Sequence, residues 1–199
     1  VDFIPWMVIG LTAFFMFRGA MNHAMGAGNA NQGLFAYRQI HPIDPVLVRV
    51  FTEGLIYIFV ILFFAILLAL LGYNMTPHHL LMVMGIWVSL WFLGLGIGLI
   101  LAVATIKVQE LRKIVSVMSL PLLILSGAFL PIHYMPYSVQ QILLYNPILH
   151  GVELIRVGYF ENYWTVQVIS YNYLFYWAMA FLFVGVFLNY KFDKAIKIQ

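Results

Sequence analysis

The apolar positions of this chain are gathered into long blocks. Five blocks, at 3–20, 50–71, 80–104, 114–130 and 166–190, are long enough to predict membrane helices. A helix of roughly 17–25 apolar residues crosses the hydrocarbon core. No Asp, Glu, Lys or Arg occurs between Glu53 and Lys107. Pro5 suits a helix start, and Arg18, near the far end of the first block, can snorkel to the interface. The glycines and asparagines of 21–33 (MNHAMGAGNANQG) predict that this helix ends near Ala20. Pro42 and Pro45 interrupt the next segment, which leaves at most a short helix before Pro42. A tight turn is expected around Gly72, Asn74 and Pro77. The third block carries Gly85, Gly94, Gly96 and Gly98, and small residues let membrane helices approach closely.

The stretch 126–158 (SGAFLPIHYMPYSVQQILLYNPILHGVELIRVG) breaks this pattern. Pro131, Pro136 and Pro147 interrupt it. Tyr134, Tyr137, Gln140, Gln141, Asn146, His150, Glu153 and Arg156 make it too polar to face lipid throughout. Two short helices are expected, at about 136–145 and 147–158, each near half a bilayer core in length at roughly 1.5 Å per residue. They are either a re-entrant pair beside a polar cavity, since irregular backbone at membrane depth needs protein or water around it, or an interfacial loop on the membrane surface.

Composition agrees with an all-α polytopic membrane protein in a lipid bilayer. The chain is 64% hydrophobic and only 9% charged, against about 25% charged in soluble domains. Its net charge of +3 is uninformative as a sum. With alternating spans, Arg18, Arg38, Arg49, Lys107, Arg112, Lys113, Lys191, Lys194 and Lys197 fall on one side, and Arg156 alone falls on the other. The positive-inside rule then predicts a cytoplasmic C-terminus and places 126–158 on the outer face. Because five spans would leave Val1 outside, a sixth span upstream is expected. The scattered basic residues argue against a nucleic-acid partner.

Candidate chemistry is sparse. The chain has no cysteine, so thiolate metal sites and disulfides are excluded. His78 and His79 are adjacent and lack a nearby carboxylate, so no metal site is expected. No catalytic residue is assigned, because no nucleophile elbow, zinc-protease motif or phosphate-cradling loop occurs. A membrane-embedded enzyme would need polar groups inside the spans, and only Glu53 and Arg18 come close. Glu53 is either a functional intramembrane acid or a helix N-terminal acid favoured by the dipole. Glu153 and Arg156, spaced i,i+3, form a structural salt bridge or contact a substrate. Trp6, Phe14, Phe17, Trp91 and Tyr134 are packing or interfacial-belt residues, or they line a route along which their rings stack on sugars.

Ser126-Gly127, Pro131, Met135-Pro136, Asn146-Pro147 and Glu153-Leu-Ile-Arg156 together resemble the membrane subunits of type-2 ABC exporters. His150-Gly-Val-Glu153 and Leu111-Arg-Lys-Ile114 are most similar to capsular polysaccharide exporters of the KpsM type. The connector lacks the Arg-Asp of many O-antigen and teichoic-acid permeases, which are the alternative branches. A passive channel or assembly scaffold is the alternative of a different class.

This resemblance implies the type-2 exporter transmembrane fold, in a multi-pass protein of the bacterial inner membrane. The chain would form a homodimer with two ATPase subunits, which would carry the ATP and Mg; this chain would carry no cofactor. The coupling segment 32–45 would engage the ATPase through Leu34, Tyr37, Arg38, Gln39, Ile40, His41, Pro42 and Asp44. A lipid-anchored polysaccharide would pass between the two copies. The first and fourth spans would face the partner copy near Phe14 and Ser126. Ser126, Gly127, Pro131, Pro136, Tyr145, Asn146, Pro147, Glu153 and Arg156 would form the outer gate, with Arg156 able to meet an acidic polymer. A periplasmic co-polymerase and an outer-membrane channel would complete the path.

Overall fold

The computed structural model describes residues 2–31, 33 and 39–193. Its elements are α1 (Phe3–Ala30), α2 (Ile43–Leu70), α3 (Leu80–Lys107), α4 (Leu111–Leu125), α5 (Tyr137–Leu143), α6 (Pro147–Tyr159) and α7 (Tyr171–Lys191). A single 3₁₀ turn, Ile132–Tyr134, precedes α5. Among the described residues, four helices are long and apolar enough to cross a membrane: α1, α2, α3 and α7.

The fourth expected span is shorter than predicted. α4 has 15 residues, about 22 Å of helix. It ends where Ser126 turns its hydroxyl back to the Leu123 carbonyl and Gly127 takes φ 69°. This left-handed residue just past the last helical turn is a common helix stop. A Cβ at Gly127 would also meet Leu149 Cδ1 at 2.6 Å.

α1 runs ten residues past the end expected near Ala20. The glycines and asparagines that suggested a loop are interleaved with alanines that pack. Ala20, Ala24 and Ala27 are fully buried, in a cluster with Val46, Val50, Leu95 and Leu99. On α3, a Cβ at Gly94 would meet the Phe17 carbonyl at 2.5 Å, and one at Gly98 would meet Ala24 Cβ at 2.5 Å. The two helices are therefore in near backbone contact, which offsets the low helix propensity of glycine and asparagine. We expect Gly98→Ala to lower stability by about 1–3 kcal/mol through overpacking, read as a fall in melting temperature in detergent. Gly26→Ala, where a Cβ meets nothing within 4 Å, should not.

The prolines of the next segment also act differently from expectation. Pro42 is the residue before α2, and Pro45 lies in its first turn, where the missing N–H is an orphan in any case. α7 begins at Tyr171, five residues after its expected start. Its N-terminus is tied down by the Ser170 N–H, which donates to His150 Nδ1 at 3.0 Å.

α1 and α3 are the centre of the bundle; α2 and α6 pack on α1, and α7 and α6 pack on α3. One end carries the start of α1, the α2–α3 turn and α5–α6. The N–H groups of His78 and His79 donate to the Tyr159 and Gly158 carbonyls there. The other end carries the end of α1, the start of α2 and the α3–α4 connector. α2 is exposed along Phe59, Phe63, Ile66 and Leu70, and α4 along Ile114, Val117, Leu120 and Ile124. Such apolar faces suit lipid or a second chain.

Candidate functional site

The helix–break–helix stretch is held by named hydrogen bonds. Pro136 is the residue before α5, and Gln140 Nε2 donates to the Met135 carbonyl at 2.9 Å. Leu144, Tyr145 and Asn146 make the elbow. Asn146 caps α6, its Oδ1 accepting the Ile148 N–H at 3.0 Å, and Pro147 takes the first helical position. Both choices are favoured at a helix start. The Asn146 amide also donates to the Leu125 carbonyl at 3.0 Å, which joins the start of α6 to the end of α4. Tyr145 is exposed, and its carbonyl accepts from the Tyr173 hydroxyl at 2.9 Å.

α6 is the most enclosed helix of this end, and its interior holds a pair of charges. Glu153 and Arg156 are both 0% exposed, so Arg156 is not the outward-facing cation the sequence suggested. Arg156 Nη1 donates to Glu153 Oε1 and to the Gly127 carbonyl, both at 2.9 Å, and Nη2 donates to the Ala128 carbonyl at 2.8 Å. Those carbonyls lie just beyond the C-terminal end of α4, where the helix dipole favours a cation. The guanidinium lies over Trp6, 3.5 Å from the ring centroid, and Gly10 leaves the space it fills. Glu153 Oε2 accepts from the Tyr163 hydroxyl at 2.9 Å and the Thr165 hydroxyl at 2.8 Å. Burial, and then the Glu153 charge, push the Tyr163 phenol up to about 12, so it remains a donor. One ion pair thus ties α6 to α1, to the end of α4 and to the loop before α7. Arg156 Nε is the one atom of this group without a partner among the described residues.

His150, one turn before Glu153, closes the same end. Its Nε2 lies 2.8 Å from the Leu144 carbonyl. With Nδ1 accepting from Ser170, Nε2 carries the proton. Its ring packs on Tyr173 at 4.6 Å. Burial lowers its pKa below the ordinary 6.5, and the Nε2–H bond to the Leu144 carbonyl only partly opposes this. A group with a depressed folded pKa contributes stability above its unfolded pKa and loses it as pH falls through the folded value. We therefore expect stability to decline as pH drops from about 7 to about 5, and His150→Gln to flatten that slope in detergent melts.

Other expected residues are placed as follows. Glu53 lies inside α2, whose first-turn acid is Asp44, so it is not the dipole-favoured N-terminal acid. It pairs with His23 at 3.3 Å, is 13% exposed, and is packed against Gly19. Arg18 lies in mid-helix rather than at a helix end, with its guanidinium 6.0 Å from the Phe15 ring. Phe14, Phe17 and Ser126 are enclosed within the chain's own core, so they are not open to a partner copy. Trp91 Nε1 donates to the Val50 carbonyl at 3.0 Å. Tyr134 is 80% exposed.

In the coupling segment, Leu34, Tyr37 and Arg38 lie outside the described residues. Gln39, Ile40, His41, Pro42 and Asp44 precede or open α2. Asp44 Oδ2 accepts the His41 N–H at 2.7 Å, and His41 Nδ1 lies 3.6 Å from Asp193 beyond α7. Among the described residues, no group of three or more His, Cys, Asp or Glu could hold a metal.

Sequence reasoning missed Tyr163, Thr165, Trp6 as the Arg156 platform, and His23. The hydroxyls of Tyr163 and Thr165, so close to the broken stretch, were a visible signal. His23 was hidden by the expected helix end at Ala20.

Residues 3–160 match the ABC-2 type transporter family. The chain is 34% identical to the polysialic acid transport protein KpsM of Escherichia coli, over 98% of this chain and 76% of that protein. It is 28% identical to the capsule polysaccharide export inner-membrane protein BexB of Haemophilus influenzae, over 100% of this chain and 75% of the relative. It is 26% identical to the capsule polysaccharide export inner-membrane protein CtrC of Neisseria meningitidis serogroup A, over the same shares.

Proposed function

The chain belongs to the ABC-2 type transporter family, and from that premise we propose that it is the inner-membrane permease subunit of an ATP-driven capsule polysaccharide exporter. The carrying observation is its likeness, along 98–100% of its length, to permeases of capsule and polysialic acid export. The fold is consistent with this division of labour, being helical bundle and short helices throughout the described residues. A separate ATPase subunit binds ATP and Mg and drives the cycle.

Two copies pair through apolar faces left open on single chains, for which α2 and α4 are candidates, and the polymer passes between them. α4, short as it is, completes its crossing through 126–130, giving five spans. α5 and α6 form the re-entrant cap at the outer end, fixed by the Glu153–Arg156 pair. The segment 32–45 meets the ATPase, with Arg38 and Asp44 as its charged contacts. The C-terminus is cytoplasmic, as the lysine and arginine distribution supports. A periplasmic co-polymerase and an outer-membrane channel receive the polymer.

The test is complementation. In a capsule-producing strain lacking its own permease, this chain should restore surface polysaccharide with the matching ATPase. A polymer retained inside, despite normal insertion of the chain and active ATPase, would reject the proposal.

A further inference from the structure

We propose that a slot between α1 and α2 seats one membrane phospholipid with a primary-amine headgroup, phosphatidylethanolamine, its phosphate on Arg18 and its amine on Glu53. The slot has a volume of about 340 Å³. Its walls are Val8, Leu11 and Phe15 on α1 and Ile56, Val60 and Phe64 on α2, and its polar members are Thr12, Glu53 and Tyr57. The Thr12 hydroxyl is donated to carbonyls of its own helix, so the slot presents hydrocarbon beyond Tyr57.

The charged groups gather at one end. Glu53 and Tyr57 are one turn apart, and Arg18 and Glu53 both lie within electrostatic reach of the Tyr57 phenol. The Arg18 guanidinium is 6.0 Å from the centre of the Phe15 ring, which forms the wall there. Arg18 is half-buried in mid-helix and makes no ion pair or hydrogen bond among the described residues. Ionisable groups within a span normally have a partner. Glu53 Oε2 is held by His23 at 3.3 Å. Its Oε1 and the Tyr57 hydroxyl have no hydrogen-bond partner among the described residues, and Glu53 keeps 13% of its side-chain surface.

The dimensions are those of a lipid in one leaflet. From Glu53 to Phe64 is roughly 16 Å along α2, about half of a hydrocarbon core of about 30 Å. Arg18 lies roughly 22 Å along α1 from Phe3, from where its long side chain can reach the headgroup level.

Other occupants each fail one requirement. A sugar would have to bury hydroxyls against apolar walls without partners. A helix of a second copy brings no anion to Arg18, because α1, α3, α4 and α7 contain no Asp or Glu and Glu53 of α2 already faces its own α1. A purely anionic lipid satisfies Arg18 but sets its charge against Glu53. A zwitterionic headgroup answers both, and an ammonium has three donors for Glu53 Oε1 and the Tyr57 hydroxyl. The seat rests on the proposed orientation only for its leaflet, the cytoplasmic one.

The experiment uses the full chain, delipidated in detergent and titrated with phosphatidylethanolamine or phosphatidylglycerol of identical acyl chains, with bound lipid counted by native mass spectrometry. We expect one phosphatidylethanolamine per chain, held about fivefold or more tighter than phosphatidylglycerol. Arg18→Gln should weaken both lipids by about tenfold or more. Glu53→Gln should weaken phosphatidylethanolamine alone and remove the preference. Val60→Trp, which fills the slot and leaves both charges, should weaken both. Lys191→Gln, at an exposed site ending α7, should change neither. Glycerophosphoethanolamine, the headgroup without tails, should not compete. Melting temperatures report folding; if Arg18→Gln or Glu53→Gln unfolds the chain, the half-buried Val60→Trp decides. Equal affinity for both lipids in the parent and every variant, the mark of annular lipid, would overturn the proposal. So would full competition by glycerophosphoethanolamine, or disulfide crosslinking of Val60→Cys between copies in membranes, which would put a second chain in the slot. Unselective binding with capsule complementation intact would leave the exporter reading standing. Selective binding without complementation would do the reverse.

Discussion

Arg156→Ala is expected to destabilise the chain by about 3–5 kcal/mol, the usual cost of removing one member of a buried ion pair. The size follows from enclosure. Arg156 and Glu153 have no exposed surface, so water cannot replace a lost partner. Without Arg156, the Glu153 carboxylate keeps only Tyr163 and Thr165, and the Gly127 and Ala128 carbonyls lose their donors. The Trp6 ring also loses the cation over its face, worth about 2 kcal/mol or more when desolvated. Glu153→Ala should be comparably severe, because it leaves a buried guanidinium uncompensated. Replacing both by apolar residues of similar size, Glu153→Leu with Arg156→Met, should cost less than either single alanine change. Thermal melts in detergent would check this order. A pair that merely contacts cargo would give near-normal melts for all three variants.

The second large effect concerns coupling rather than stability. Asp44→Lys and Arg38→Glu are expected to abolish export and uncouple it from ATP hydrolysis, while leaving the melting temperature within a few degrees of the parent. Asp44 is exposed at the start of α2, and its carboxylate accepts the local His41 N–H. Losing that bond and the first-turn acid costs about 1–2 kcal/mol, a shift of a few degrees in a chain of this size. A charge reversal at an interface with another subunit puts like charges together and costs several kcal/mol there. Export and ATPase rates measured on the same membranes would separate these effects. Normal export in both variants would remove the coupling assignment.

The helix–break–helix form of 126–158 was legible because prolines and a capping asparagine act locally. Asn146-Pro147 starts α6 through contacts within two residues. The end of α1 was misread because local propensity and tertiary packing disagree. The glycines and asparagines of 21–31 read locally as a loop, and only Gly94 and Gly98 of α3, facing Phe17, Ala20, Met21 and Ala24, make that part of α1 a close helix contact. The Glu153–Arg156 pair was legible from its spacing, but the burial of Arg156 was not, for a related reason. Charge counting set it alone on the outer side, but Trp6 and the carbonyls of Gly127 and Ala128, which enclose it, are distant in sequence. Glu153, three residues away, was the only partner that spacing could find. The long apolar blocks were legible as helices, yet α4 shows that an apolar run does not fix a helix end. Ser126 and Gly127 end it.

The most direct test is transport in inverted membrane vesicles carrying this chain and its ATPase. Lipid-linked polysaccharide supplied outside, with ATP and Mg, should accumulate in the lumen in proportion to ATP hydrolysed. Accumulation should stop when the chain carries Asp44→Lys or when the ATPase cannot hydrolyse nucleotide. Continued accumulation with the inactive ATPase would contradict the account and make the chain a passive channel.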